Sequence, residues 1–290
     1  VRFLADTRFE AFSSQHHLLL ALFVAGLVAV TVWGRRHRGT DAEPAARRGF
    51  AVVLAGVAIL MQAYQLTPGD FDLATSLPLQ LCDVATVAAV IALWTRSYRA
   101  AAFVYYVGLT LTMQGVLTPS LAETFPHPRF FGFWALHFLV VWAAVYLTWG
   151  LGIRPSWRGL RFAIAATLAW AVAAFGFNLA TGTNYGYLNR KPPAASLLDL
   201  FGPWPVYVVV VIAILVTSWS LLLTWPWEHR ARRRRAAAPE GGPGAAAGTP
   251  HPPTRWFGAR RRRDRGRKVS PGGHPPQRES EGSREVPPKG

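Results

Sequence analysis

The chain has 290 residues, 51% of them hydrophobic, with 12 Trp and a mean hydropathy of +0.19. Its formal charge is +16, from 31 Lys and Arg against 15 Asp and Glu. The apolar residues come in nearly charge-free blocks, each long enough at about 1.5 Å per residue to cross a hydrocarbon core of roughly 30 Å, which excludes an ordinary soluble globule. The basic residues gather in loops and a tail, so the charge does not point to nucleic acid, and the single Cys82 excludes an intrachain disulfide and a multi-thiolate metal site.

The blocks read as helices over about 17–33, 50–66, 78–95, 101–117, 130–149, 160–180 and 204–225. No basic segment or small-residue cleavage site precedes the first, so no cleavable leader is expected. Arg35, Arg36, Arg38, Arg47 and Arg48 follow it. The second block carries Gln62 and Gln65 near its end, and the third opens with Gln80, Cys82 and Asp83 before Arg96 and Arg99. The fourth bears Thr110 and Gln114. Arg129 opens the fifth, which carries His137 and leads to Arg154 and Arg158. Asn178 closes the sixth, and Pro203, Trp204 and Pro205 head the seventh, before Arg230 and Arg232 to Arg235.

The fold class expected is an all-α polytopic transmembrane bundle over residues 1–227. Segments on the opposite side are poorer in positive charge: Arg2 and Arg8, none in 67–77, then Arg129, then Arg190 and Lys191. Positive charge favours the cytoplasmic side, so the N-terminus is expected outside and the C-terminus in the cytoplasm of a cell-membrane protein. Residues 228–290 hold sixteen Lys or Arg against six Asp or Glu and are rich in Pro, Gly and Ala. Such a segment buries too little apolar surface to offset its ordering entropy, so a disordered cytoplasmic tail is expected, with its Arg runs placed to meet anionic lipid headgroups.

Polar side chains are costly in a bilayer, which makes each a candidate functional group. With this orientation Gln62, Gln65, Cys82, Asp83, Thr110, Gln114, Arg129, His137 and Asn178 all fall in the outer half, on five different helices. Each alone has a plain structural reading: Cys as a small packing residue, Gln and His as interhelical hydrogen bonders. Agreement in depth is what suggests a polar pocket. The outer segments 117–129 and 181–205 are rich in proline and irregular, and the second carries Asn184, Tyr185, Tyr187, Lys191 and Asp199. It is expected to close over the mouth of that pocket.

Three stretches carry a resemblance: SLPLQLCDV (76–84), LTPSLAETFPHPRFFGFWALHF (117–138) and NYGYLNRKPPAASLLDLFGPWPVY (184–207). Together they resemble the bacterial YwaF-like integral membrane proteins and are similar, more distantly, to the eukaryotic transmembrane protein 164 family. The resemblance covers about residues 10–225 and implies a membrane acyltransferase that remodels phospholipids with a Cys and a His. Carried over by motif, the Cys falls on Cys82 and the His on His137, while Gln80 stands where many relatives have His.

A Cys–His pair suits acyl transfer, since the thiolate is the competent nucleophile and the imidazole a base. Asp83 has two readings: orienting His137, or pairing with Arg129 or Lys191 as structure. Gln62, Gln114 and Asn178 are candidate oxyanion or headgroup donors, and Gln65, Arg129, Asn184 and Tyr185 complete the expected pocket. No cofactor or metal is expected, and the substrate implied is a phospholipid or lysolipid. A lipid hydrolase with the same pair, and a non-enzymatic transporter or ligand-binding membrane protein, are the alternatives. No nucleophile elbow, metalloprotease helix or phosphate-binding loop is present.

Overall fold

The computed structural model describes residues 9–119, 121–192 and 197–237. Arg2, Arg8 and the expected tail beyond residue 237 lie outside these. Among the described residues the chain is all helix and turn. Six helices are long and apolar enough to cross a membrane: α1 (Ser14–His37), α2 (Ala42–Gln65), α4 (Tyr98–Leu117), α5 (Pro128–Gly150), α6 (Trp157–Thr181) and α7 (Val206–Ala236). A shorter apolar helix, α3 (Leu81–Thr95), stands between them. The protein is therefore a multi-pass membrane protein, and every block expected from the sequence is a helix.

The ends follow from local chemistry. Ser13, Ser97 and Ser156 accept hydrogen bonds from first-turn amides of α1, α4 and α6, and His127 does so for α5 with Pro128 next to it. Each satisfies an amide that has no intrahelical partner. Gly182, with φ of 74°, ends α6 in a left-handed conformation that glycine takes without strain. Helix α7 runs on to Ala236, so residues 228–236, assigned from composition to the tail, are helical. Arginine is a good helix former, and Arg233 to Arg235 complement the negative end of the helix dipole.

Helices α4 and α5 form the centre: 56% of each hydrophobic window is buried, against 11–22% in α1, α2, α6 and α7. The outer helices turn Leu18, Ile59, Leu60, Val172 and Leu222 outward, as lipid-facing surfaces do. On α3 the small residues Ala85, Ala89 and Ala92 are fully buried along one face, which lets neighbouring backbones approach closely. Among the described residues three helices contain one wide turn each: Gly108–Thr112 in α4, Tyr146–Gly150 in α5 and Trp219–Thr224 in α7. Such a π-turn inserts a residue and changes the phase of everything after it.

At the arginine-rich end Glu43 and Arg47 are buried and paired at 2.8 Å, and Arg96 reaches the other Glu43 oxygen at 3.3 Å. Arg47 also donates to the carbonyls of Leu93 and Trp94, tying the start of α2 to the end of α3. Arg38 donates to the carbonyl of Gly150 at the end of α5. Three of the arginines read as topology signals, Arg38, Arg47 and Arg96, thus also hold helices together.

Candidate functional site

At the opposite end, two loops are bound to one another. Asn178, buried near the end of α6, donates to the Tyr185 carbonyl (3.0 Å) and to Asn189 Oδ1 (2.8 Å). Its own Oδ1 accepts from the Tyr185 amide (2.8 Å) and from Thr183 Oγ1 (2.9 Å). The fully buried Tyr185 donates its hydroxyl to the Leu73 carbonyl at 2.7 Å and accepts from the Leu77 amide at 3.1 Å. Burial pushes this phenol up, so it stays a neutral donor. The Gly186 amide meets Gln80 Oε1 at 3.1 Å, and Trp170 Nε1 meets the Leu79 carbonyl at 2.9 Å. The segment after α6 is therefore fastened onto the segment before α3.

Two cavities lie beneath. One, of about 210 Å³, is lined by Gln65, Cys82, Asp83, Glu123, Arg129 and His137 among others. The second, of about 280 Å³, is walled mainly by Leu111, Leu168, Trp170, Val211, Ile212 and Leu215, again with Cys82 and His137. Both volumes far exceed the ~10–15 Å³ that one water needs. Cys82 and His137 are the two residues that line both, and so form the boundary between a charged chamber and an apolar one.

Helix geometry sets each group. Cys82 is the second residue of α3, half-buried and reduced. Asp83 caps the same helix, its Oδ2 accepting from the Gln80 amide at 2.9 Å. His137 lies in the middle of α5, with Nδ1 2.7 Å from the Phe133 carbonyl. A carbonyl only accepts, so Nδ1 carries the proton of the neutral ring and Nε2 keeps its lone pair. Among the described residues Nε2 has no hydrogen-bond partner, and no hydrogen bond joins His137 to the Cys82 sulfur. Gly115 of α4 lies against the same edge of the ring: a Cβ there would sit 2.6 Å from both Cδ2 and Nε2.

Of the residues expected around the pocket, Gln65, Asp83 and Arg129 line the charged chamber with Cys82 and His137. Five do not line either chamber. Gln62 donates to the Ser76 carbonyl at 2.7 Å, holding the segment before α3 onto α2. Gln114 is on an exposed face, bonded to Thr118. Asn178 has its amide engaged as described, Asn184 closes its loop onto Arg190, and Tyr185 is a buried anchor. The pairings considered for Asp83 are also corrected. Arg129 stands 3.8 Å from Asp70 and 3.7 Å from Glu123, and Lys191 pairs with Asp199 at 3.5 Å.

Sequence reading missed Glu123, whose loop gave no cue to its facing Arg129. It also missed Thr112 and Thr167, whose buried hydroxyls have no partner among the described residues and which line the charged and apolar chambers respectively. A lone Thr in an apolar run normally bonds its own backbone and carries no signal. Among the described residues no group of three His, Cys, Asp or Glu is arranged to hold a metal ion. In comparisons with known proteins, no curated protein and no solved structure matches the chain. A family model does: that of the TMEM164 family, over residues 11–223.

Proposed function

Since the chain belongs to the TMEM164 family, we propose that it is a lipid acyltransferase in which Cys82 is the nucleophile and His137 the general base. One observation carries the reading: among the described residues, the two side chains shared by the charged and apolar chambers are a thiol and an imidazole with a free Nε2 lone pair. An ester lipid has the same division, a polar headgroup and an apolar chain meeting at the acyl carbonyl.

In the first half-reaction His137 Nε2 takes the Cys82 proton, directly or through one water, and the thiolate attacks the ester carbonyl. The amide of Cys82, in the first turn of α3 where helix N–H groups lack intrahelical partners, is a donor for the developing oxyanion. The carbon–oxygen bond breaks, and the leaving alkoxide takes the proton back from His137, leaving an acyl-thioester. In the second, His137 deprotonates the hydroxyl of a lysolipid. That oxygen attacks the thioester, and the released thiolate regains the proton. Arg129 and Glu123 are the charges available to a headgroup.

We place the chain with the bacterial YwaF-like branch on the three motifs quoted above, in the cell membrane, with its N-terminus outside and C-terminus in the cytoplasm. The chambers then open toward the outer leaflet, and the arginine-rich end meets anionic headgroups within. The test is an acyl-transfer assay with the purified chain in phospholipid nanodiscs, using a fluorescent acyl donor. The expected result is a hydroxylamine-labile acyl-enzyme in the wild type, discharged by added lysolipid and absent from Cys82→Ala and His137→Ala. Fatty acid release unaffected by lysolipid would make the protein a hydrolase. Full activity in Cys82→Ala would sink the thioester mechanism.

A further inference from the structure

The apolar chamber has an unusual outer wall. On either side of the chamber, helix α7 is held to the bundle at anchors about three turns apart. At one, Tyr207 is buried and its hydroxyl donates to the Tyr187 carbonyl. At the other, Trp219 is buried and donates to Thr110 Oγ1 at 3.1 Å. Around this second anchor Tyr106 and Thr224 bond at 2.7 Å, and Tyr105 donates to the Leu223 carbonyl at 3.0 Å. Between the anchors no residue of 208–218 is buried. The close packing of α7 on α6 is concentrated at its wide turn, Trp219–Thr224, below the chamber.

That unsealed stretch is where the chamber lies, since Val211 and Ile212 of α7 and Leu168 and Ala171 of α6 line it. The outward neighbours Val172, Val209 and Ile214 are exposed apolar residues on membrane-spanning helices, so what lies outside the cleft is hydrocarbon. A cleft that is apolar within and opens on hydrocarbon without has no reason to admit water or a soluble solute. We propose that the gap between α6 and α7 is a lateral portal through which one acyl chain of a bilayer lipid enters the chamber and brings its ester to the Cys82–His137 boundary. The proposal rests on reading the apolar chamber as an acyl-chain site. It does not rest on the chemistry, because a chain can occupy the cleft whether or not the thiol reacts.

The test is photolabelling of the full chain in phosphatidylcholine vesicles doped with a lipid bearing a diazirine near the end of one acyl chain, with adducts mapped by mass spectrometry. Leu111 and Leu215 line the chamber, whereas Val172 and Val209 face the bilayer. Label is expected on Leu111 and Leu215 as well as on the outward positions, in the wild type and equally in Cys82→Ala. Val211→Trp and, from the opposite wall, Ala171→Phe should each lower the Leu111 and Leu215 label roughly tenfold, the factor for excluding about two methylenes from the chamber, while Val172 and Val209 keep theirs. Label confined to outward positions, or inner label indifferent to both plugs, would overturn the portal. Inner label in a protein that shows no acyl transfer would support the portal and defeat the enzymatic reading alone.

Discussion

Asn178→Leu keeps the volume of the side chain and removes four hydrogen bonds at once, two donated and two accepted. At about 1 kcal/mol net for each, the loop 183–190 loses about 4 kcal/mol of attachment. Two of the stranded groups are the amide and carbonyl of Tyr185, which are enclosed and cannot turn to water unless the loop lifts. The loss therefore goes into local opening more than into global unfolding. At 1.4 kcal/mol per factor of ten, amide exchange in the loop should accelerate on the order of 100- to 1,000-fold. Hydrogen–deuterium exchange with peptide-level mass spectrometry, on protein in nanodiscs, reads this directly. The α4 and α5 peptides serve as controls that should not change. Exchange in 183–190 within about a factor of three of wild type would refute the argument, because it would mean that Tyr185's contacts with Leu73 and Leu77 hold the loop without Asn178.

Other outcomes follow from the same geometry. Gly115→Ala puts a methyl 2.6 Å from the reactive edge of His137, so the ring must move. A displacement near 1 Å should slow acylation by about 10²-fold, with no further slowing in a His137→Ala background, at a stability cost of about 1–3 kcal/mol by thermal unfolding. Glu43→Ala strands Arg47 inside the bundle and should cost about 3–5 kcal/mol, whereas the double variant Glu43→Leu/Arg47→Leu should recover most of it. A reporter fused after Ala237 should be active only in the cytoplasm; activity on the other side would reverse the orientation proposed for the chambers.

Depth along each helix was legible in the sequence, because depth depends only on counting residues from an interface. Cys82 and His137 were matched that way, and they do line the same two chambers. Azimuth was not legible. Gln114 sits four residues past Thr110, which on a regular helix puts both on one face. The wide turn at Gly108–Thr112 breaks that regular register, and Thr110 meets Trp219 while Gln114 is exposed and bonds Thr118. Asn178 and Gln62 lie outside the two chambers for another reason. A buried side chain amide is equally suited to a ligand and to backbone, and irregular loops at the end of a bundle present many unpaired backbone groups. The ion pair Glu43–Arg47 was hidden by the arginines around it, whose number reads as topology and conceals the one that folds inward.

The shortness of α3 has a consequence for how a lipid is handled. At 15 residues it spans about 22 Å, less than a bilayer's hydrocarbon thickness of roughly 30 Å. The deficit is made up by the irregular segment 66–80, whose backbone is tolerable there because Gln62, Trp170 and Tyr185 bond it. Taken as a seventh span, the helix would begin below the membrane surface, and its second residue is the thiol. Under the proposed chemistry the nucleophile descends to the level of the ester groups, and the ester is not raised to meet it. Drawing a sixteen-carbon chain into water would cost about 0.8 kcal/mol per methylene, more than 10 kcal/mol in all. A catalyst that attacks from within the leaflet never incurs that cost.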